Sequence, residues 1–186
     1  IDKAECEAAA ALAASHFGRI DVLVNIAGIT SPQRLMEVDA ATYERVFDIN
    51  MRGTLYMTQA VVPAMRQQKS GSIVNMSSVS AQRGGGVFGG SHYSAAKAAV
   101  LGYTKAAARE LGPDNIRVNA ICPSYIDTDI NHHVWQTEAG QRLLQSFPRK
   151  RVGKPEDLDA LLTMLCANES RFVNGAVIAA HDGQAI

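Results

Sequence analysis

Short apolar runs rich in β-branched residues alternate along the chain with longer stretches of helical composition, and this alternation constrains the fold most. The runs lie at residues 20–25, 72–76, 115–122 and 176–180. Unbroken apolar runs of this length are typical of strands buried on both faces, as in parallel sheets. The chain is therefore predicted to form an α/β fold, a doubly wound parallel sheet with helices on both faces.

The helical stretches have recognisable beginnings and ends. Gly18 follows an Ala- and Glu-rich stretch and is well placed as a helix stop. Asp39 or Thr42 can begin a long helix in which Pro63 introduces a kink, and Gly112 ends another. The predicted helices cover residues 3–17, 42–68, 93–111 and about 153–166.

Bulk composition narrows the class of protein. With 186 residues, of which 47% are hydrophobic, the chain fits one domain over residues 1–186. Basic and acidic residues number 18 each, which argues against nucleic acid or an anionic membrane as partner and favours small molecules or proteins, with a small-molecule substrate as the prediction. Three widely spaced cysteines argue against disulfides and a cysteine zinc site, so we expect a cytoplasmic protein.

Residues 124–152 are polar and irregular, which predicts a lid over a substrate site with a short helix at 137–146. Trp135 and Phe147 either line an apolar pocket or pack the lid onto the body. His132 and His133 lack a third ligand at metal spacing, so lid or surface roles are favoured and no metal site is predicted.

Two further features carry open alternatives. His92 either touches substrate or has a structural role in its loop. The Arg149-Lys150-Arg151 run is either a solvated turn or a site that holds a phosphorylated or acyl-carrier substrate.

The segment Tyr93-Ser-Ala-Ala-Lys97 opens a predicted helix and follows a strand that ends at Ser77-Ser78. Four residues apart on a helix, the phenol and the ammonium share one face. A nearby cation favours the phenolate, so Lys97 is expected to lower the pKa of Tyr93 by about two to three units. The three side chains can converge at the carboxyl edge of the sheet, where open α/β folds bind ligands.

These residues, with others in order along the chain, resemble the short-chain dehydrogenase/reductase family. The resemblance covers essentially the whole chain and implies a Rossmann-like fold. Its motifs are Asn25-Ile-Ala-Gly28, Asp48-Ile-Asn50-Met-Arg-Gly53, Ser72-Ile-Val-Asn-Met-Ser-Ser78, Tyr93-Ser-Ala-Ala-Lys97, Arg117-Val-Asn-Ala-Ile-Cys-Pro123 with Thr128, and Asn174-Gly175 with Asp182-Gly183.

The resemblance implies four catalytic residues. Tyr93 would be the general acid/base, and Lys97 would lower its pKa and hold the nicotinamide ribose. Ser78 would align the substrate oxygen, and Asn50 would hold a water that relays protons to Lys97. The implied cofactor is NAD or NADP, bound by Asn25, Ala27, Gly28, Tyr93, Lys97, Pro123, Ile126 and Thr128; the first three border the adenosine side, and Ile126 and Thr128 face the nicotinamide carboxamide.

The chain also departs from the family pattern. The glycine-rich turn that receives the cofactor pyrophosphate, and the residue that distinguishes NAD from NADP, are absent, so we expect a truncated parent lacking the first βαβα units. The run at 20–25 would then be an exposed sheet edge. Ser78 lies 15 positions before Tyr93, whereas Ser80 lies at the more usual 13; we prefer Ser78 because it ends the strand.

The resemblance implies an oxidoreductase that interconverts a secondary alcohol and a ketone, such as a sugar alcohol or a 3-oxoacyl thioester. The alternative is a non-catalytic, oligomerising fragment that binds no cofactor. A homo-oligomer, by resemblance a tetramer, is compatible with both. Substrate determinants would lie in the irregular lid, so the motifs specify neither the substrate nor the direction of reaction.

Overall fold

The computed structural model describes residues 1–87, 89–129 and 131–185, with the side chain of His133 outside that description. Its sheet has four parallel strands in the order β1-β2-β3-β4. The strands are β1 (Val22–Asn25), β2 (Gly71–Met76), β3 (Ile116–Pro123) and β4 (Val177–Ala180). The predicted parallel sheet is confirmed, and β1, paired only with β2 among these strands, is its edge.

Eight α-helices connect the strands within the described residues. They are α1 (Lys3–Phe17), α2 (Ala40–Phe47), α3 (Gly53–Gln68), α4 (Ser80–Arg83), α5 (Ser91–Leu111), α6 (His132–Trp135), α7 (Glu138–Ser146) and α8 (Asp159–Cys166). Short 3₁₀ turns lie at Leu35–Glu37, Gly112–Asp114, Pro155–Leu158 and Asn168–Ser170. None of the helices in the described ranges has the length and apolar character required to span a membrane.

Helices cover both faces of the sheet, as predicted. On one face α1, α3 and α5 pack on the strands through a core that contains Met65, Ile73 and Val118, all fully buried. On the other face α8 packs through Leu165 against Val74 and Ile121. The central strands β2 and β3 are thus covered by apolar layers on both faces, which explains their buried apolar residues, whereas β1 and β4 are only partly buried.

The predicted helix at 42–68 is wrong in one respect, because it is interrupted. Asp39 begins α2 by accepting a hydrogen bond from the Thr42 amide at 2.7 Å. A π-helical turn, Asp48–Arg52, then separates α2 from α3, with the Gly53 amide bonded to the Asp48 carbonyl five residues earlier. Such one-turn bulges displace a side chain relative to a regular helix. The displaced residue here is Asn50, which is buried.

The lid carries two short helices, α6 and α7, where one was predicted. Its last residues contact the segment that follows β4, because Arg149 and Arg151 both form ion pairs with Asp182, at 3.0 and 3.1 Å. Gln184 accepts a hydrogen bond from the Tyr125 amide and donates one to the Arg151 carbonyl. The Arg149-Lys150-Arg151 run therefore has a structural role, since it holds the end of residues 124–152 against the segment after β4.

Candidate active site

Ser78, Tyr93 and Lys97 meet beside a cavity of about 400 Å³ at the carboxyl edge of the sheet. Ser78 follows the last residue of β2, while Tyr93 and Lys97 lie in the first two turns of α5. The same cavity is bordered by Gly28 and Asn50, from the segments that follow β1. The predicted convergence of these side chains is what the structure shows.

The Tyr93 phenol and the Ser78 hydroxyl lie beside each other and both border the cavity. Burial raises the pKa of Tyr93 above its ordinary value, and the neighbouring Ser78 hydroxyl opposes that rise only in part. The expectation of a lowered pKa is therefore wrong in direction, because the loss of hydration on burial is the largest cause of the shift. At neutral pH the phenol holds its proton and is a hydrogen-bond donor.

Lys97 is a buried amine, with its side chain pointing back along α5 toward the end of β2. Its Nζ donates to the Met76 carbonyl at 2.9 Å, and the Lys97 carbonyl accepts from the Ser77 hydroxyl at 2.8 Å. Burial lowers the pKa of Lys97 to about 8, opposed by the neighbouring Cys122 thiol. Lys97 is thus largely charged at neutral pH, yet able to release its proton easily.

Asn50 faces Lys97 with an oxygen that is buried and has no hydrogen-bond partner within the described residues. Its amide nitrogen donates to the carbonyls of Ile29 and Val46, each at 2.9 Å, which fixes the side chain's orientation. A Cβ on Gly28 would lie 2.7 Å from Asn50 Oδ1 and 3.2 Å from Lys97 Nζ. Both polar groups therefore contact the Gly28 backbone, and only glycine fits between them.

A Gly28→Ala substitution is expected to lower kcat/KM by about 10- to 100-fold, because the added methyl must displace an asparagine held by two hydrogen bonds. Steady-state kinetics of the full-length protein measure the effect. Gly102→Ala in α5 is the matched control, since a Cβ there meets no atom within 4 Å. Unchanged kinetics in Gly28→Ala would show that this close approach is unimportant.

The residues assigned to the cofactor divide into two groups. Gly28, Tyr93, Lys97, Pro123, Ile126 and Thr128 line the cavity. Asn25 instead donates its amide hydrogen to Asn75 Oδ1 at 2.9 Å and thereby joins β1 to β2, while Ala27 is exposed beside Gly28. The side chain of Asn25 thus has a structural contact that its motif did not reveal.

The structure places the aromatic and histidine side chains for which the sequence left two roles open. Trp135 and Phe147 are buried against the Tyr125 ring, at centroid distances of 5.7 and 5.3 Å, so they pack the lid. His92 is buried behind Tyr93, outside the cavity lining. His132 is exposed and contacts Asp127 at 2.9 Å. The His133 side chain lies outside the described residues, among which no group of three potential metal ligands occurs.

Several cavity residues had not been predicted. Leu158 and Leu162 reach it from the start of α8, and Tyr125 from the turn after β3. The four-residue spacing of the leucines is a signal, but it is equally typical of a core-facing helix. Val87 and Arg83 come from the glycine-rich loop and from α4, whose positions no local pattern specifies.

The fold is thus a parallel α/β sheet that brings a hydroxyl, a phenol and an amine together at a cavity beside its carboxyl edge. A family model described as Enoyl-(Acyl carrier protein) reductase matches residues 1–184. An uncharacterised short-chain type dehydrogenase/reductase, y4mP of Sinorhizobium fredii, is 45% identical over 185 residues, covering 100% of this chain and 73% of the relative. The chain belongs to the short-chain dehydrogenase/reductase family of oxidoreductases.

Other relatives agree with this assignment. The 3-oxoacyl-(acyl-carrier-protein) reductase FabG of Thermotoga maritima is 40% identical over 173 residues, covering 91% of this chain and 68% of the relative. The crystal structure of a levodione reductase superposes with a TM-score of 0.91 at 34% identity, covering 99% of this chain and 74% of that one. A glucose/ribitol dehydrogenase from Brucella melitensis gives a TM-score of 0.89 at 32% identity, with 100% and 73% coverage.

Proposed function

We propose that the protein is an NAD(P)-dependent oxidoreductase that interconverts a secondary alcohol and a ketone, with Tyr93 as general acid/base. The observation that carries this proposal is the convergence of the Tyr93 phenol, the Ser78 hydroxyl and the Lys97 amine on one cavity. A phenol with a raised pKa holds its proton at neutral pH, so it is suited to protonate a carbonyl oxygen.

The residues around the cavity fit a nicotinamide cofactor. At Gly28 the backbone approaches Asn50 and Lys97 more closely than a side chain would allow, and the Lys97 ammonium is a donor suited to ribose hydroxyls. When bound, NAD or NADP supplies or accepts the hydride at the substrate carbon. Pro123, Ile126 and Thr128 would hold its nicotinamide end, and Asn25, Ala27 and Gly28 its adenosine side, with Asn25 acting through the strand that it holds in place.

The chain's own residues provide the proton transfer and the alignment. Ser78 holds the substrate oxygen beside the Tyr93 hydroxyl, which donates its proton to that oxygen. The resulting phenolate is stabilised by Ser78 and by the Lys97 cation. Lys97, with a pKa of about 8, can return a proton to the phenolate, and the unpartnered Asn50 Oδ1 beside it supports a water-mediated proton path to solvent.

The walls of the cavity favour substrates with an apolar part. Its apolar side chains include Ile29, Met76, Val87, Leu158 and Leu162. We infer that these hold the carbon chain of the ketone, and a 3-oxoacyl compound is the type that the FabG relative's name indicates for that protein. A sugar alcohol remains the second candidate, since a glucose/ribitol dehydrogenase shares the fold.

Cofactor binding distinguishes this function from that of a non-catalytic, oligomerising fragment. We expect the full-length protein to bind NADH or NADPH saturably, with a change in nicotinamide fluorescence, and to oxidise it when a 3-oxoacyl thioester is added. Glucose and ribitol, with the oxidised cofactors, test the sugar-alcohol candidate. Absence of binding for both reduced cofactors would favour the fragment.

We further propose a homotetramer located in the cytoplasm. The exposed apolar side chains of Leu35, Met36 and Tyr43 around α2 support self-association, because such side chains are usually covered in an assembly. Reduced cysteines are compatible with a cytoplasmic protein, since Cys6, Cys122 and Cys166 are all unpaired.

A further inference from the structure

We propose that Arg83 forms an oxyanion-binding subsite at the mouth of the catalytic cavity, so that preferred substrates carry a carboxylate or phosphate besides the reacting carbonyl. This inference rests on the proposed function, which it deepens by naming a substrate class. Arg83 lines the cavity although it lies outside every motif of the family resemblance.

The first argument is position. Arg83 is the last residue of α4, a one-turn helix that begins two residues after Ser78. At a rise of about 1.5 Å per residue, the Arg83 backbone lies on the order of 10 Å from the catalytic hydroxyl. The cation is therefore within reach of a charged group on a substrate whose carbonyl is held by Ser78 and Tyr93.

The second argument is the loop after Arg83, which turns back along the cavity. Gly84, Gly85 and Gly86 have φ values of 74°, 65° and 139°, conformations that favour glycine. A Cβ on Gly86 would lie 3.8 Å from Arg83 Nη2 and 3.9 Å from Tyr125 Oη. The loop thus lies beside both polar groups at the cavity, and its backbone conformation favours glycines that place no side chain over them.

The third argument is charge. Arg83 is exposed and donates from Nη2 to the Tyr125 hydroxyl at 3.3 Å. Arg66, Arg149 and Arg151 are each paired with an aspartate, whereas no carboxylate of the described residues forms an ion pair with Arg83. Among the residues that line the cavity, the carboxylate belongs to Asp159 on α8. The other cation of the lining, Lys97, lies at the proposed site of proton transfer. A guanidinium without an ionic partner can accept one from the ligand.

Guanidinium chemistry determines the class of ligand. Its planar fork binds carboxylate and phosphate oxygens in pairs, and it is more weakly hydrated than an ammonium. Either a carboxylate of the substrate itself or the phosphates of a coenzyme A-type carrier would supply such an oxyanion. The two sources share this chemistry and differ in which substrates lose affinity when Arg83 is replaced.

The test is Arg83→Gln in the full-length protein, assayed with two matched pairs of ketones. The first pair is a short 3-oxo acid and its methyl ester. The second is a 3-oxoacyl coenzyme A and the same acyl group on N-acetylcysteamine, which lacks the phosphates. We expect kcat/KM to fall about 10- to 100-fold, mainly through KM, for the charged member of one pair, with little change for its neutral member.

The pair that responds identifies the source of the oxyanion, and Arg83→Lys should recover part of the loss because it restores charge without the fork. Arg171→Gln, an exposed arginine in the turn before β4, is the matched control. Equal losses for charged and neutral members, or none, would overturn the subsite. Continued turnover of the neutral ketones would show that the proposed function itself still holds.

Discussion

Tyr93→Phe is expected to lower kcat/KM by about 10²- to 10⁴-fold while the protein stays folded, because the substitution removes only the proton that the substrate oxygen must receive. The ring remains to pack on α5 and the cavity wall. The hydroxyl that is lost lies beside Ser78, so Ser78 alone is left to contact the substrate oxygen. Steady-state kinetics with either nicotinamide cofactor measure the loss.

The matched control is Tyr103→Phe, on the same helix but outside the cavity lining. Its hydroxyl lies near Thr58 and is half-buried, so its removal should cost at most about 1 kcal/mol of stability and leave turnover unchanged. If Tyr93→Phe retained wild-type turnover, Tyr93 would have no part in proton transfer. Circular dichroism of both variants checks that the fold is intact.

Lys97→Met is expected to increase stability at pH 7 and to abolish most activity. The pKa of Lys97 falls from 10.5 to about 8, and each unit corresponds to about 1.4 kcal/mol, so burying the ammonium costs about 3 kcal/mol. Replacing the ammonium by a methionine removes this cost, but it also leaves the Met76 carbonyl without its donor. The net stabilisation expected is about 1–2 kcal/mol. Turnover should fall about 100-fold or more, since the Tyr93 phenolate loses its cation.

The stability difference between Lys97→Met and wild type should depend on pH in a defined direction. The folded protein releases the Lys97 proton near pH 8, whereas the unfolded chain holds it until about pH 10.5. Between these values the unfolded state binds more protons, so wild-type stability rises with pH. The extra stability of Lys97→Met over wild type is therefore fully present below pH 8 and decreases as the pH rises above 8.

Urea unfolding of both proteins at intervals from pH 7 to about 9.5 tests this dependence, below the range where tyrosines ionise. Lys105→Met is the matched control, because it makes the same change at an exposed position of the same helix. If the difference in free energy of unfolding between Lys97→Met and wild type stayed constant over this range, burial of a charged Lys97 would not be its cause, whatever the activity of the variant.

Local sequence patterns predicted most of the fold because the determinants of each element lie within a few residues. The end of α1 is an example: Gly18 adopts φ 75° and its amide bonds to the Ala14 carbonyl. The apolar runs gave strand positions to within one or two residues for the same reason, since a strand buried on both faces must be apolar throughout.

The π turn at Asp48–Arg52 could not be predicted in this way. Its sequence is compatible with a regular helix, and the observed conformation depends on a hydrogen bond from Asn50 to Ile29, a residue 21 positions away. The same applies to the pKa of Tyr93. Its neighbour Lys97 is visible in the motif, but the burial that dominates the shift depends on the tertiary packing around the cavity.

The sequence by itself determined the family and the parallel sheet and predicted the candidate catalytic side chains, because these depend on residue types at short spacings. Only the tertiary structure decided that Asn25 joins two strands, that Asn50 faces Lys97 and that Arg83 stands at the cavity mouth. These contacts join segments far apart in the chain, and their formation depends on packing and burial, which no local pattern records.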